Sequence, residues 1–347
     1  MSNELSREEH ELLSTSGTVL LSQVGLGNEL RFERLSGGRN NRVYRVTDCE
    51  ATAVLKWYFR GADDQRDRLD AEYSFGEYAI DCGATCVARP LARDDASQLA
   101  VYSLLEGRRL ASGQVEAGHT EQAIAFLRLL NEHRAADFAT RLPIASEACF
   151  SLQEHIECVS ARVARVHNIA TGTEHHRAAV ELVDAVIAPA LARSVSRVKE
   201  WASKTNVSMD ATPAAEKRCV SPSDYGFHNA LMREDGELSF LDFEYAGWDD
   251  PAKLLCDFYC QPEVPAPRET WHRFADLTAE LAGDTELERQ RQALLFPLYQ
   301  VKWCCILLNE FVPTARDRRK FAEQQPADLA LQLEKAKRLA DQLSRRR

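Results

Sequence analysis

The sequence predicts an α+β protein of two lobes, in which a small β-rich lobe precedes a larger, mostly helical lobe that contains a β hairpin. The chain has 347 residues, more than one ordinary hydrophobic core accommodates. Strand-like alternation dominates residues 19–105, and helical spacing of apolar side chains dominates after residue 106. In the helical part, Glu234-Asp235-Gly236 separates two short apolar runs, which is a good hairpin signal.

The β-rich lobe is predicted over residues 16–105, after a polar N-terminal arm at 1–15 that is either loose or a short helix. Polar and apolar side chains alternate at 42–46, as in a half-buried strand. The predicted elements of this lobe are strands at 42–46, 51–58 and 99–105 and a helix at 68–80.

The helical lobe is predicted over residues 106–327, followed by a charged amphipathic helix within 328–347. Thr120 is suited to cap the first helix, since its hydroxyl can accept a backbone N–H bond. Pro189 lacks an N–H and is expected to kink or divide the third helix. The predicted elements are helices at 121–134, 148–170, 176–205 and beyond Pro251, and hairpin strands at 229–233 and 237–243.

Charge and terminal sequence limit the classes of partner. The chain carries 43 basic and 53 acidic residues, a formal charge of −10, which argues against general binding to a phosphate backbone. The N-terminus lacks the basic and apolar segments of a signal peptide. No window reaches the roughly 18 apolar residues that a membrane span needs. We therefore expect a cytoplasmic protein that binds neither nucleic acid nor membrane; the oligomeric state is left open.

Ten cysteines are scattered along the chain. Two pairs, Cys82/Cys86 and Cys256/Cys260, have equal spacing, but neither has a neighbouring histidine at zinc-site spacing. Cysteines within apolar stretches are typical of small buried thiols in a reducing compartment. That interpretation is preferred over a metal site.

Polar residues of the hairpin region have the spacing of a cation site. Asp224 and Asn229 lie five residues apart in one loop, and Asp242 follows the hairpin. The hairpin is expected to fold Asp242 back beside Asn229, and a hard cation needs oxygen ligands from separate segments. Alone, the Asp224–Asn229 spacing is a common chance match, and Asp242 can also be read as a strand-end turn residue. Its apolar flanks favour a metal partner, because burying an unpaired carboxylate is unfavourable.

Three weaker features precede this loop in the β-rich lobe. Gly37 and Gly38 lie just before a strand and permit close approach of backbone to phosphate, although such a pair is usually an ordinary turn. Lys56 lies in an apolar strand and can also be read as a surface lysine on an edge strand. Glu72 follows 16 residues later on the predicted helix, where it can pair with Lys56.

Taken in order, these motifs resemble those of the aminoglycoside phosphotransferase and choline kinase family, which has a protein-kinase-like fold. The resemblance covers roughly residues 30–310. It also includes the hinge-like Leu104-Leu105-Glu106-Gly107 and a run similar to the family's Gly-Asp-Pro…Asp signature. In this sequence that run is Gly247-Trp248-Asp249-Asp250-Pro251, followed by Asp257.

The resemblance implies ATP bound between the lobes and Mg²⁺ beside it. Lys56, oriented by Glu72, would hold the α/β-phosphates, and the hinge at Glu106 would meet the adenine. Asn229 and Asp242 would hold the metal. Asp224 would orient the acceptor hydroxyl and take its proton. Asp250 and Asp257 would brace the catalytic loop.

The acceptor implied is a hydroxyl-bearing small molecule, with a sugar or amino alcohol favoured. Glu244, Asp249 and Glu154 are candidates to recognise amines or hydroxyls, but each can equally be a solvated or structural carboxylate. The expected pocket walls are the helices near 148–170 and 290–310 and the loop at 244–250. The choice between ATP and GTP stays open.

Two departures from the family pattern bear on activity. Pro222 stands where the family usually has His, and Trp248 is an extra residue within the Gly-Asp-Pro run. Pro222 motivates an alternative, a nucleotide-binding pseudokinase that acts as a regulatory module. A protein kinase is disfavoured, since no Arg precedes Asp224 and no Ala-Pro-Glu segment follows Asp242. His228 is a minor candidate on the substrate side, more often a structural hydrogen-bonding residue in such a loop.

Overall fold

The computed structural model has the expected α+β architecture of a sheet-based lobe followed by a helical lobe. It describes residues 6–27, 29–35, 41–61, 66–169, 172–312, 321 and 328–344.

The N-terminal lobe is built on one antiparallel sheet of five strands in the order β1-β2-β3-β5-β4. Helix α3, Arg68–Asp81, connects β3 to β4 and begins at the capping side chain of Asp67. In register, Lys56 of β3 lies between Val43 of β2 and Ala100 of β5. The strands are β1 Arg31–Leu35, β2 Arg42–Thr47, β3 Thr52–Trp57, β4 Pro90–Asp94 and β5 Leu99–Ser103.

A helical segment precedes the sheet. Helices α1, Arg7–Leu12, and α2, Thr18–Gln23, are joined by a π-helical turn, and Ser6 forms a capping box with Glu9. Apolar side chains such as Leu13 and Leu21 are buried in one cluster with sheet residues. The described part of the expected polar arm is therefore helical and packed, because apolar residues at helical spacing begin inside it and continue past residue 15.

The C-terminal lobe surrounds a long central helix, α10, which packs against α5, α7, α8, α9 and α11. Its core unites α5, α7, α10 and α11 through a continuous set of buried apolar side chains. The helices are α4 Ala117–Glu132, α5 Leu152–Val166, α6 Glu174–Leu182, α7 Ala188–Thr205, α8 Pro251–Cys260, α9 Trp271–Ala282, α10 Thr285–Leu308 and α11 Leu329–Ser344.

Two helix starts differ from the sequence prediction. Thr120 is not a cap: it is buried inside α4, which begins after a capping box between Glu116 and His119. Helix α5 begins at Leu152 because Ser151 and Glu154 form a capping box there. The division expected at Pro189 appears as a π-helical turn, Val183–Ile187, between α6 and α7. Such a turn accommodates the missing N–H of proline.

Short strands flank residues 222–229, the loop that precedes the hairpin. The hairpin consists of β8 Ala230–Met232 and β9 Leu238–Phe240, with β6 Arg108–Arg109 added to its edge. A separate pair joins β7 Cys219–Ser221 to β10 Gly247–Asp249. Gly107 has φ +140°, and a Cβ there would lie 2.9 Å from the Met232 carbonyl oxygen. Only glycine fits this close crossing.

Candidate active site

A buried lysine–glutamate pair connects β3 to α3. Lys56 Nζ lies 2.7 and 2.8 Å from the two carboxylate oxygens of Glu72. The hydroxyl of Tyr58 donates to the same carboxylate at 2.7 Å. Strand β3 lies inside the sheet, and Lys56 is buried against the helix. The alternative of a surface lysine on an edge strand is therefore wrong.

Lys56 also reaches the second lobe, since its Nζ lies 3.1 Å from Asp242 Oδ1. Burial alone would lower the pKa of Lys56, but the carboxylates of Asp242 and Glu72 outweigh burial and raise it above its ordinary value. Burial raises the pKa of Glu72, against the opposing effect of Lys56. The ammonium group therefore stays charged between two carboxyl groups from different lobes.

The loop after β7 presents Asp224 to a cavity between the lobes. Ser223 has φ +65°, an uncommon conformation for a residue with a side chain, which turns the chain sharply before Asp224. Asn229 Nδ2 donates to the Asp224 carbonyl oxygen at 3.0 Å and so closes the loop. His228 Nε2 lies 3.3 Å from Asp224 Oδ1, which places His228 beside the carboxylate as well as within the loop.

The hairpin brings Asn229 and Asp242 to one end, as the spacing predicts. The Leu241 N–H donates to the Asn229 carbonyl oxygen at 3.0 Å, which fixes the two segments side by side. Both Asn229 and Asp242 line the cavity, and the Asp242 side chain is one-third exposed there. Since the Asn229 amide nitrogen is engaged with the loop, its oxygen is available to a ligand. Two oxygen donors on an open cavity fit Mg²⁺, which is usually held by one or two protein ligands together with phosphates.

A buried lysine, Lys253, contacts the loop at Ser223, the residue after Pro222. Lys253 Nζ contacts Asp249 Oδ2 at 2.7 Å and Ser223 Oγ at 3.4 Å. The preceding sequence run, in which Trp248 is the extra residue, forms β10 and pairs with β7 directly before the loop. Asp249 is therefore a structural carboxylate and does not face the cavity.

The two aspartates that the resemblance assigns to bracing make buried structural contacts. Asp250 caps α8 through the Lys253 N–H at 3.0 Å and binds Arg291 at 2.7 Å. Asp257 accepts from Lys302 Nζ at 2.9 Å and from Trp303 Nε1 at 2.8 Å. Both aspartates thus connect the segment after the hairpin to α10.

The cavity beside Asp224 has a volume of about 730 Å³ and extends into the helical lobe. Glu154, offered above for acceptor recognition, does not line it: its carboxylate caps α5 by accepting from the Ser151 N–H at 3.1 Å. The wall includes Arg162 and Arg165 of α5, Lys302, Trp303 and Ile306 of α10, and Glu244 and Tyr245 after β9.

Glu244 connects the two lobes from a buried position on the cavity wall. It accepts a hydrogen bond from Asn41 Nδ2 and lies 3.7 Å from Arg68 Nε. Burial, with a further contribution from Asp242, raises the pKa of Glu244 to about 7. Sequence reasoning missed the role of Asn41. The signal was a polar residue directly before β2 and three residues after Gly38.

The remaining predicted nucleotide-binding residues are placed as follows. Gly37 and Gly38 lie outside the described residues. Glu106 is exposed in the segment between β5 and β6 that links the lobes, and it is not among the residues that line the cavity.

The cysteines are free thiols, mostly buried. Within the described ranges, no group of three or more His, Cys, Asp or Glu side chains is arranged to hold a metal ion. None of the described helices is both long and apolar enough to cross a membrane.

Known proteins share this fold. The model of the phosphotransferase enzyme family matches residues 31–289. A spectinomycin phosphotransferase, solved in complex with ADP and spectinomycin, is 12% identical, covers 97% of this chain and 99% of its own, and has a TM-score of 0.56. A choline kinase from Streptococcus pneumoniae is 14% identical, covers 98% of this chain and 100% of its own, and also has a TM-score of 0.56.

An ethanolamine kinase from Plasmodium vivax is 13% identical, covers 99% of this chain and 95% of its own, and has a TM-score of 0.54. Among curated protein sequences, none matches the chain. At identities this low, the structural likeness shows a shared fold and no more. It confirms the two-lobed, protein-kinase-like architecture expected from the sequence. The chain belongs to the phosphotransferase enzyme family and has the fold of a small-molecule kinase.

Proposed function

We propose that the chain transfers the γ-phosphoryl group of ATP, in the presence of Mg²⁺, to a hydroxyl group of a small polar molecule. The observation that carries the proposal is the contact of Lys56 with Glu72 and Asp242, directly beside the Asp224–Asn229 loop. Phosphoryl transfer asks the protein chiefly for positioning and electrostatic stabilisation. Asp224, Asn229 and Asp242 line one cavity, and the fixed cation Lys56 contacts Asp242 at its edge.

The N-terminal lobe supplies the nucleotide contacts in this proposal. Lys56, held by Glu72, binds the α/β-phosphates, because a charged ammonium in a partly desolvated site attracts phosphate oxygens strongly. The backbone at Gly37 and Gly38 approaches the phosphates, and the segment at Glu106 meets the adenine ring.

Asn229 and Asp242 are the proposed holders of Mg²⁺. Bound there, the ion supplies positive charge that offsets the charge on the phosphate oxygens. The protein's own part is to fix the two donors, through the hairpin pairing and through the bond from Leu241 to Asn229.

Asp224 is the proposed catalytic residue, which orients the acceptor hydroxyl and accepts its proton. His228, 3.3 Å away, acts on the substrate side by positioning that carboxylate. The acceptor is favoured to be a sugar or an amino alcohol, in keeping with a neighbour solved with spectinomycin and with neighbours named choline and ethanolamine kinases. The reaction is proposed to take place in the cytoplasm and without a nucleic-acid partner.

The test measures ADP release from Mg-ATP with a panel of sugars, amino alcohols, aminoglycosides and hydroxy amino acids. Asp224→Asn is expected to lower the acceptor-stimulated turnover by about 10²- to 10⁴-fold, the usual effect of losing a general base. ATP binding should persist in that variant. Unchanged turnover would exclude Asp224 from the role.

A second candidate function is a nucleotide-binding pseudokinase, favoured by one observation, Pro222 in place of the family's usual histidine. Against it, the lysine, the carboxylate and both proposed metal ligands are all present. The discriminating measurement is Mg²⁺-dependent ADP release, which a pure nucleotide-binding module lacks.

A further inference from the structure

The helical wall of the cavity carries two arginines on one face of a helix. Arg162 and Arg165 lie three residues apart on α5, and both line the cavity that Asp224 also lines. Side chains at this spacing are neighbours on a helix surface. Two guanidinium groups therefore border the same cavity as the Asp224 carboxylate.

Arg162 is held in place by one carboxylate, but its guanidinium group retains a donor without a hydrogen-bond partner among the described residues. Its Nη2 donates to the Glu147 carboxylate, and only 12% of the side chain is exposed. Its buried Nε–H has no hydrogen-bond partner among the described residues. A buried guanidinium N–H without a partner is unfavourable, so a ligand that accepts from it is stabilised.

The carboxylates along this wall are already balanced by cations of the protein. Glu147 contacts Arg162 and lies 4.0 Å from Lys302. Although burial opposes it, these two cations lower the pKa of Glu147 to about 2.

The next carboxylates along the wall are also engaged. Asp257 contacts Lys302 at 2.9 Å and Lys253 at 3.4 Å, and Glu263 contacts Lys335 at 2.8 Å. These groups have cationic partners already and are poorly placed to recognise an ammonium group on an acceptor.

Arg165 adds a positive charge that no carboxylate of the described residues neutralises through an ion pair. It is exposed at the cavity and forms no ion pair within the part of the chain that the structure describes. Guanidinium groups bind carboxylate and phosphate through paired N–H donors. We propose that the acceptor carries an anionic group, a carboxylate or a phosphate, that is bound by Arg162 and Arg165 while its hydroxyl faces Asp224. This inference rests on the proposed function and narrows its acceptor class.

The test compares hydroxyl compounds that differ only in charge. One set is glycerol, glycerate and glycerol 3-phosphate; the other is glucose, glucuronate and glucose 6-phosphate. Two readouts are taken on the full chain: ADP release from Mg-ATP, and thermal stabilisation in the presence of ADP. We expect an anionic member of a set to exceed its neutral member in both readouts. Preference for the carboxylate or for the phosphate then identifies the source of the charge.

Arg165→Gln is the decisive variant, because Arg165 is exposed and its replacement leaves the buried contacts intact. The KM for the anionic acceptor should rise about 10- to 100-fold, the range for a lost charge-assisted hydrogen bond, with kcat changed by less than about 3-fold. The KM for ATP should not change. Arg193→Gln, a substitution of an exposed arginine on α7 outside the cavity, is the matched control and should behave as the original chain.

The inference is overturned if the neutral member of each set is preferred, if no anion stabilises the chain, or if Arg165→Gln leaves the KM of the anionic acceptor unchanged. If anions stabilise the chain through Arg165 but no ADP is released, the anionic subsite is supported and the proposed phosphoryl transfer is contradicted. The two failures are thereby distinguishable.

Discussion

The proposed nucleotide end of the site, at Lys56, and its proposed acceptor end, at Arg162 and Arg165, differ in the sign of the charge that is left unbalanced. At the proposed nucleotide end, Lys56 contacts the carboxylates of both Glu72 and Asp242, and Asp242 lines the same cavity as Asp224. At the acceptor end, Arg162 is matched by Glu147, while Arg165 has no ion pair among the described residues. In the proposed reaction, a cation would complete the first end and an anion the second, so each end would bind a different component.

The largest effect is expected from breaking the buried pair at the nucleotide end. Lys56→Met removes the cation between two carboxyl groups and should lower kcat/KM for ATP by about 10²- to 10³-fold, as when a preorganised charge partner is lost. It should also lower the free energy of unfolding by about 3–5 kcal/mol, because Glu72 is left buried without a cation beside it. Activity assays and urea denaturation measure the two effects.

A double variant separates catalysis from stability at this pair. Lys56→Met combined with Glu72→Gln removes both charges, so most of the lost stability should return while activity stays low. If the double variant also regains activity, Lys56 has no role in nucleotide binding.

An intermediate effect is expected from the proposed metal ligand. Asp242→Asn should raise the half-saturating Mg²⁺ concentration by at least about 10-fold, since altered metal surroundings typically change affinity on that scale. Removal of Mg²⁺ with a chelator should abolish ADP release from the unaltered chain. Asp235→Asn changes an exposed carboxylate in the turn of the same hairpin and is the control. An unchanged Mg²⁺ dependence in Asp242→Asn contradicts the assignment.

The sequence predicts which residues lie together better at the hairpin than where the two lobes meet, for a physical reason. Asn229 and Asp242 are joined by one short hairpin, so local turn chemistry alone brings them together. The contact of Asn41 with Glu244 joins residues 203 positions apart, and nothing in local spacing specifies it.

The acceptor wall shows a second limit of sequence reasoning. Helical periodicity identifies the buried face of α5, including Val159 and Val163, but it does not reveal which polar face of the helix borders a cavity. Charge alone makes Glu154 a candidate acceptor residue, but its carboxylate caps the helix. Residue type alone predicts a cap at Thr120, whereas Glu116 and His119 form the capping box. Competition among nearby polar residues for the same backbone groups decides such cases.

The smallest effect is expected at the acceptor end and depends on pH. Because the folded-state pKa of Glu147, about 2, lies below its ordinary value of 4.5, ionised Glu147 stabilises the fold above pH 4.5. That contribution fades as the pH falls from 4.5 toward 2. Glu147→Gln should therefore lower the free energy of unfolding by about 1–2 kcal/mol at pH 7, a value reduced for the solvent exposure of this side chain, and by almost nothing at pH 2.

The same substitution sharpens the comparison between the two ends. Glu147→Gln leaves Arg162 without its carboxylate, so the acceptor end becomes more positive and an anionic acceptor should bind more tightly, with a lower KM. Glu157→Gln, which changes an exposed carboxylate on α5 that accepts from Gln153, is the control and should shift stability by less than about 0.5 kcal/mol. A weaker affinity for anionic acceptors in Glu147→Gln would mean that Glu147 serves the site by fixing Arg162 in place, so that geometry outweighs net charge at this end of the cleft.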